Sequence, residues 1–151
     1  MVAKDIMTKD VITAGPEEQV EKVTKLMLEN KISGIPVVDN ERHVLGMVTE
    51  KDLMVKAGEV KVPFYLTLFD SIIFLENPIR FSNDLKKYAA VKVKDVMTTR
   101  VVVIEEDKPV NEIVKIMQQK KINRIPVVRH DKLVGIITRN DILKSLVKSN
   151  G

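Results

Sequence analysis

The strongest constraint on this chain is a stretch that occurs twice. Ile32–Asp52 reads ISGIPVVDNERHVLGMVTEKD, and Ile122–Asp141 reads INRIPVVRHDKLVGIITRND. Both run from Ile-x-x-Ile-Pro-Val-Val through a polar turn and a Gly to Thr-x-x-Asp. A shift of 90 residues aligns Lys4–Val38 with Lys94–Val128, with 14 of 35 positions identical. One residue is lost in the turn, and the shift becomes 89 for Gly46–Asp52 against Gly135–Asp141. Such repetition implies two copies of one supersecondary unit.

Each copy opens with Asp-Ile/Val-Met-Thr, at Asp5–Thr8 and Asp95–Thr98. The β-rich runs that follow, Val11–Thr13 and Val101–Ile104, read as strands. Pro16-Glu17-Glu18 and Glu105–Pro109 are helix-start signals. Proline has no N–H to leave unpaired in a first turn, and acids suit the positive end of the helix dipole. Apolar residues then recur at i, i+3, i+7 (Val20, Val23, Met27; Val110, Ile113, Met117), the period of a helix with one buried face. Val114 widens the second stripe where the first copy has Thr24. Lys31 and Lys121 mark the helix ends, their charge favouring the negative pole.

Ile35–Val38 with Val44–Val48, and Ile125–Val128 with Leu133–Ile137, read as hairpins. The proline in each first strand belongs at a strand start or edge, because it cannot donate a ladder bond. Closing helices follow over Glu50–Ala57 and Arg139–Val147. The pattern of each copy is therefore β-α-β-β-α. The division read from the sequence is a first repeat over 1–57, an insert over 58–91 and a second repeat over 92–151.

The insert differs in kind. All six aromatic residues (Phe64, Tyr65, Phe69, Phe74, Phe81, Tyr88) lie within it. Val62–Glu76 is strongly apolar, Asn77-Pro78 marks a break, and Phe81–Ala90 reads as a short helix. Two readings stand: extra core packed over the module, or a surface for self-association or a partner.

Composition excludes several functions. The chain has no cysteine, which removes disulfide and thiolate chemistry and agrees with a cytoplasmic location. No apolar run reaches membrane-span length, and the opening residues lack a signal-peptide core. The net charge of +4 comes from interspersed Lys, Arg, Asp and Glu and gives nucleic-acid binding little support. His43 and His130 fall in hairpin turns, and no His/Asp/Glu cluster has metal-ligand spacing. There is no P-loop, Gly-x-Gly-x-x-Gly or Ser/His/Asp order to suggest catalysis.

Asp-x-Met-Thr, Ile-Pro-Val-Val and Gly-x-x-Thr-x-x-Asp, in that order and twice, resemble the CBS domain, named for cystathionine β-synthase. Two in tandem resemble a CBS pair, or Bateman module. The resemblance covers nearly all of the chain outside the insert. It implies an α+β fold of two repeats packed with pseudo-two-fold symmetry, often dimerised. It also implies regulatory binding of adenosine-containing ligands (AMP, ADP, ATP, S-adenosylmethionine or NAD) in clefts between the repeats, with no catalytic cofactor.

The residue chemistry has two readings. An Asp one turn after a Thr can accept from two vicinal hydroxyls and so clamp a ribose, beside a helix N-terminus that favours phosphate. The same Thr and Asp are also close to a purely structural capping box. Resemblance to the γ subunits of energy-sensing kinases implies two clefts. One would use Thr138 and Asp141 with Met7, Ile12, Ile32 and Ser33 around the base. The other would use Thr49 and Asp52 with Met97, Val102, Ile122 and Asn123. Pro36 and Pro126 of the Ile-Pro-Val-Val runs complete the set. Met and Ile walls suit a flat base, and each of these residues could equally be core. Arg124 matches a phosphate-binding basic residue in those subunits, where the first copy has Gly34. The Arg124/Thr138/Asp141 cleft is therefore the expected tighter phosphate site.

The expected function is a stand-alone regulatory module sensing an adenine nucleotide. It would work as a homodimer through an effector protein, with no nucleic-acid or membrane partner. The alternative is a scaffold with degenerate clefts that docks a partner through the insert.

Overall fold

The computed structural model describes residues 1–59 and 91–150. In chain order the elements are α1 (Ala3–Ile6), α2 (Val20–Glu29), β1 (Gly34–Val38), β2 (Val44–Thr49) and α3 (Glu50–Glu59). A single 3-10 turn follows at Val93–Asp95. The rest are β3 (Ile104–Glu105), α4 (Val110–Lys120), β4 (Arg124–Arg129), β5 (Lys132–Thr138) and α5 (Arg139–Ser149). The arrangement is α+β. β1 and β2 form a two-stranded sheet, and β3-β4-β5 a three-stranded one. The expected helix over Phe81–Ala90 and all the aromatic side chains lie outside the described residues.

The apolar stripes do what their period requires. Val20, Val23 and Met27 of α2 are buried, as are Ile113 and Met117 of α4. Thr24, buried on the same face of α2, donates its hydroxyl to the Val20 carbonyl at 2.8 Å, so its polar atom is satisfied within the helix. Fully burying one such aliphatic side chain contributes about 1.5–3 kcal/mol, so a few of them decide whether a helix docks.

Two details correct the sequence reading. Val11–Thr13 forms no strand; only Ala14 makes an isolated parallel bridge, to Val37. In the second copy the strand shrinks to Ile104–Glu105, paired in parallel with Val127 and Val128. β-Branched composition favours extended backbone, but a ladder also needs a partner strand. Helix starts shift too. Pro109 is the N-cap of α4 rather than a first-turn residue, and α2 begins at Val20 behind Gln19, well past Pro16.

The helix ends also have a different cause from the one expected. Lys31 and Lys121 adopt the left-handed conformation, with φ 52° and 54°. The following N–H groups of Ile32 and Ile122 then donate back to the Met27 and Met117 carbonyls at 3.0 Å each. The chain is turned by this closure of orphan carbonyls, a position usually held by Gly, and not by charge alone.

The chain divides into two compact units, and neither is one of the sequence repeats. Unit 1 comprises Met1–Ile12, Val38–Val44 and Arg100–Gly151; unit 2 comprises Thr13–Val37 and Leu45–Thr99. Each unit therefore joins the body of one repeat to the Asp-x-Met-Thr segment of the other. In unit 1, Ala3 and Lys4 donate their N–H groups to the carbonyls of Lys108 (2.8 Å) and Glu106 (2.9 Å). In unit 2 the equivalent Val93 and Lys94 donate to Glu18 (2.8 Å) and Pro16 (3.0 Å). The core of unit 1 gathers Ala3, Ile104, Ile113, Met117, Ile125, Val127, Ile137 and Ile142. In unit 2, Val20, Val23, Met27, Ile35, Val37, Leu53 and Val93 are buried.

The proline positions follow from the same exchange. Pro126 is the third residue of β4, not its first, and lies opposite Ile136 of β5. Ile136 turns both its N–H and its C=O away from Pro126 to a partner described below, so the ladder asks no donor of the proline there. Pro36, buried in β1, accepts from the Ala14 N–H at 3.0 Å.

Candidate functional site

Each closing helix starts on a Thr and an Asp. Thr138 is the N-cap of α5 and Asp141 its third residue. Asp141 Oδ2 accepts from the Thr138 N–H (2.8 Å) and from the Thr138 hydroxyl (3.0 Å), while Thr138 Oγ1 accepts from the Asp141 N–H at 3.3 Å. The first copy repeats this. Asp52 Oδ2 accepts from the Thr49 N–H (2.9 Å) and hydroxyl (3.0 Å), and Thr49 Oγ1 accepts from the Asp52 N–H at 3.4 Å. The structural reading of the motif is therefore correct: it is a capping box. The box consumes one carboxylate oxygen, Oδ2, and leaves Oδ1 outside it.

Residues of the Asp-x-Met-Thr segments meet that second oxygen. In unit 1 the Thr8 hydroxyl donates to Asp141 Oδ1 at 3.4 Å. In unit 2 the Thr98 hydroxyl donates to Asp52 Oδ1 at 2.9 Å. Backbone bonds set these threonines in place. Thr8 and Ile136 exchange N–H···O bonds of 2.9 and 3.0 Å, which is where the Ile136 main chain is directed; Thr98 and Met47 exchange bonds of 2.9 Å in both directions. A single threonine of one repeat thus makes an isolated antiparallel bridge to the hairpin of the other.

The motif glycines make room for this crossing. A Cβ on Gly135 would collide with Met7 Sδ and lie 2.8 Å from its Cγ. A Cβ on Gly46 would lie 2.7 Å from the Thr98 carbonyl oxygen and 3.0 Å from Met97 Sδ. Neither glycine has positive φ. Close approach, not backbone freedom, is what demands them. Thr8, Thr98, Gly46 and Gly135 are the site residues that sequence reasoning did not single out. Their signal was present, since all four are identical between copies within the quoted motifs.

The expected site residues distribute as follows. Unit 1 holds Thr138, Asp141, Arg124, Asn123, Met7, Ile12, Val102, Ile122 and Pro126; unit 2 holds Thr49, Asp52, Met97, Ile32, Ser33 and Pro36. Within unit 1, Met7 reaches the Thr138–Asp141 turn by way of Gly135 and Thr8. Arg124 pairs with Thr138 across the β4/β5 ladder, so the two side chains share a sheet face. Asn123 accepts the Arg139 N–H on its carbonyl at 2.8 Å, tying the start of β4 to the first turn of α5. Ser33 does the same for Glu50 in unit 2 at 3.0 Å. Met7, Val102 and Ile122 pack half-buried against the unit 1 core, and Pro126 is buried outright.

Several charged side chains elsewhere in the two units are paired locally. Lys92 and Lys94 of unit 2 clamp Glu17 at 2.8 and 2.9 Å. The Lys92 hydrogen bond, with that of Lys94 behind it, lowers the Glu17 carboxyl to about 2. Asp39 organises the first hairpin turn in unit 1. It accepts from the N–H groups of His43 (2.8 Å) and Glu41 (2.9 Å) and meets His43 Nδ1 at 2.9 Å. The His43 backbone bond is the main reason its carboxyl is held below the ordinary range. His43 is thus a turn residue. Among the described residues there is no His/Cys/Asp/Glu cluster able to hold a metal, and no helix long and apolar enough to cross a membrane.

Comparison with known proteins places these motifs. The chain is 32% identical over 155 residues to the uncharacterized protein MJ1426 of Methanocaldococcus jannaschii, covering 97% of this chain and 92% of that one. It is similar to the crystallised CBS domain of a CBS domain containing membrane protein from Sphaerobacter thermophilus. There the TM-score is 0.78 at 32% identity, over 95% of this chain and 86% of that chain. It also superposes on CBSX2 from Arabidopsis thaliana, whose crystal structure in complex with AMP gives a TM-score of 0.76. That match, at 23% identity over 99% of this chain and 98% of the other, speaks to fold alone. The family model for the CBS domain matches twice, over residues 3–58 and 93–148. The chain therefore belongs to the CBS domain family and carries two CBS domains in tandem.

Proposed function

We propose that this CBS pair is a regulatory, non-catalytic module that binds adenosine-containing ligands, AMP, ADP or ATP foremost, at its two Thr-x-x-Asp turns. One observation carries this. In both copies Asp Oδ1 stands outside the capping box and accepts a hydroxyl, that of Thr8 or Thr98, as it would accept a ribose hydroxyl. The α5 and α3 N-termini beside these turns favour phosphate. CBSX2, a protein of the same fold, has been crystallised with AMP, which is a precedent for this ligand class on the fold. Met7 and Ile12 in unit 1 and Met97 in unit 2 supply apolar wall. Ile32, Ser33, Pro36, Asn123, Val102, Ile122 and Pro126 complete the proposed lining.

Arg124, across the ladder from Thr138, is the proposed phosphate ligand, and Gly34 offers no counterpart. The Asp141 turn is accordingly the tighter phosphate site. Leu143, Leu146 and Val147 of α5 are 54%, 56% and 75% exposed, an apolar face that supports a homodimer. Output runs through a separate effector protein, in the cytoplasm. Ligand acts by binding two arrangements of the module unequally.

The test is titration calorimetry with AMP, ADP, ATP, S-adenosylmethionine and NADH on the wild type and on Asp141→Ala and Asp52→Ala. Asp141→Ala abolishes the tighter phase and Asp52→Ala spares it. A flat wild-type response to the whole panel rejects the reading, and loss confined to Asp52→Ala rejects the ranking of sites.

A further inference from the structure

The acceptor count at the two aspartates leads beyond ligand class. A carboxylate offers about four acceptor positions, two on each oxygen. In both copies Oδ2 is filled by the N–H and hydroxyl of its own Thr. On Oδ1 one position is taken by the threonine of the Asp-x-Met-Thr segment, which leaves one. A single hydroxyl can be accepted there without rearrangement. A vicinal diol donating both hydroxyls to the same carboxylate cannot, unless that threonine releases Oδ1.

We propose that Thr98 and Thr8 are specificity-determining residues that oppose binding of a vicinal diol at Asp52 and Asp141, Thr98 strongly and Thr8 weakly. This rests on the reading of the two aspartates as diol clamps. The unequal strengths come from geometry. Thr98 Oγ1 lies 2.9 Å from Asp52 Oδ1, near the optimum for an O–H···O bond. Thr8 Oγ1 lies 3.4 Å from Asp141 Oδ1, well beyond it. The Asp141 turn is therefore close to released, whereas the Asp52 turn must break a good charge-assisted bond before it takes a diol. Neither threonine holds its segment by this contact alone, since Thr98 is anchored by two backbone bonds to Met47 and Thr8 by two to Ile136. The hydroxyl can be removed without undoing the crossing.

The experiment is titration calorimetry of the full chain with AMP and with 2′-deoxy-AMP, on the wild type, Thr98→Val, Thr98→Ser and Thr8→Val. Thr98→Val tightens AMP at the weaker site about three- to tenfold, the scale of one ordinary intramolecular hydrogen bond at an exposed contact. It leaves 2′-deoxy-AMP within about twofold, because one hydroxyl needs only the position already open. Thr98→Ser, which keeps the hydroxyl, behaves as the wild type. Thr8→Val shifts AMP by less than about twofold, as expected of a bond already near its limit. Thr98→Ala removes the same hydroxyl and replaces the valine variant if that one does not fold. AMP binding by the wild type that is unchanged or weakened in Thr98→Val overturns this proposal and leaves the diol-clamp reading standing. Absence of AMP binding in the wild type and in every hydroxyl-free variant overturns both.

Discussion

Replacing the two motif glycines with alanine separates two kinds of crowding. Neither glycine has positive φ, so alanine fits both backbones and gains about 0.4–1 kcal/mol by restricting the unfolded chain. At Gly46 the new methyl lies 2.7 Å from the Thr98 carbonyl oxygen. That oxygen receives the Met47 N–H at 2.9 Å, so it cannot retreat without loosening the Thr98–Met47 exchange. Overpacking a fixed neighbour costs typically 1–3 kcal/mol, and with the top of that range the net loss is about 2 kcal/mol. At Gly135 the obstacle is the partly buried, unbranched Met7 side chain, whose Sδ and Cγ swing with its first torsion while its Cβ stays 3.1 Å away. Turning Met7 costs about 0.5–1.5 kcal/mol, so the net stability change is small. In a chain of this size each kcal/mol moves Tm by about 2–4 °C. Gly46→Ala should therefore lower Tm by about 4–8 °C and Gly135→Ala by about 2 °C or less. Circular dichroism melts measure this, and double mutants assign the cause. Met7→Ala should erase the remaining cost of Gly135→Ala, while Met97→Ala should leave most of the cost of Gly46→Ala in place. Full rescue of Gly46→Ala by Met97→Ala would refute the backbone argument.

Two further perturbations test a charge clamp and a hairpin turn. Glu17 is lowered from 4.5 to about 2 by the Lys92 and Lys94 hydrogen bonds. Its stabilisation is present above pH 4.5 and lost as the pH falls toward 2. Glu17→Gln should flatten urea-unfolding stability across that window, and 1 M salt should flatten the wild type likewise because the pair is exposed; parallel profiles for the two proteins would exclude the clamp as the source. In the second hairpin turn His130 and Asp131 both have positive φ, 51° and 63°, the signature of a two-residue turn that favours Asn-Gly. The double substitution His130→Asn/Asp131→Gly should raise stability by about 1 kcal/mol, seen as a higher urea midpoint at constant slope. A lowered midpoint would rule out relief of left-handed strain.

Much of the fold was legible because local periodicity decides it. The Val20/Val23/Met27 and Ile113/Met117 stripes fix the helices, and both hairpins follow from Ile-Pro-Val-Val, a polar turn and an apolar run. The strands expected at Val11–Thr13 and Val101–Val103 were not, because a strand exists only where a partner supplies a ladder, and that is a non-local fact. The candidate turns were legible as Thr-x-x-Asp, with the choice between cap and clamp open. Their geometry shows the cap taking one oxygen and leaving the other. What could not be read from either motif alone was that Met-Thr of one copy crosses Gly-x-x-Thr-x-x-Asp of the other. Sequence spacing carries no mark of which copy a segment will join.

That crossing also fixes an order of assembly. Unit 2 closes when Thr98 reaches Met47, a separation of 98 − 47 = 51 residues; unit 1 closes when Thr8 reaches Ile136, 136 − 8 = 128 residues. By the logarithmic law for loop closure the longer span costs about 0.8 kcal/mol more when nothing has yet folded between its ends. During synthesis the difference is absolute, since Thr8 must wait until Ile136 has emerged, whereas Met47 precedes Thr98 by far fewer residues. The Thr8 segment is thus the later of the two to find its place, and unit 2 is the half that can begin without it.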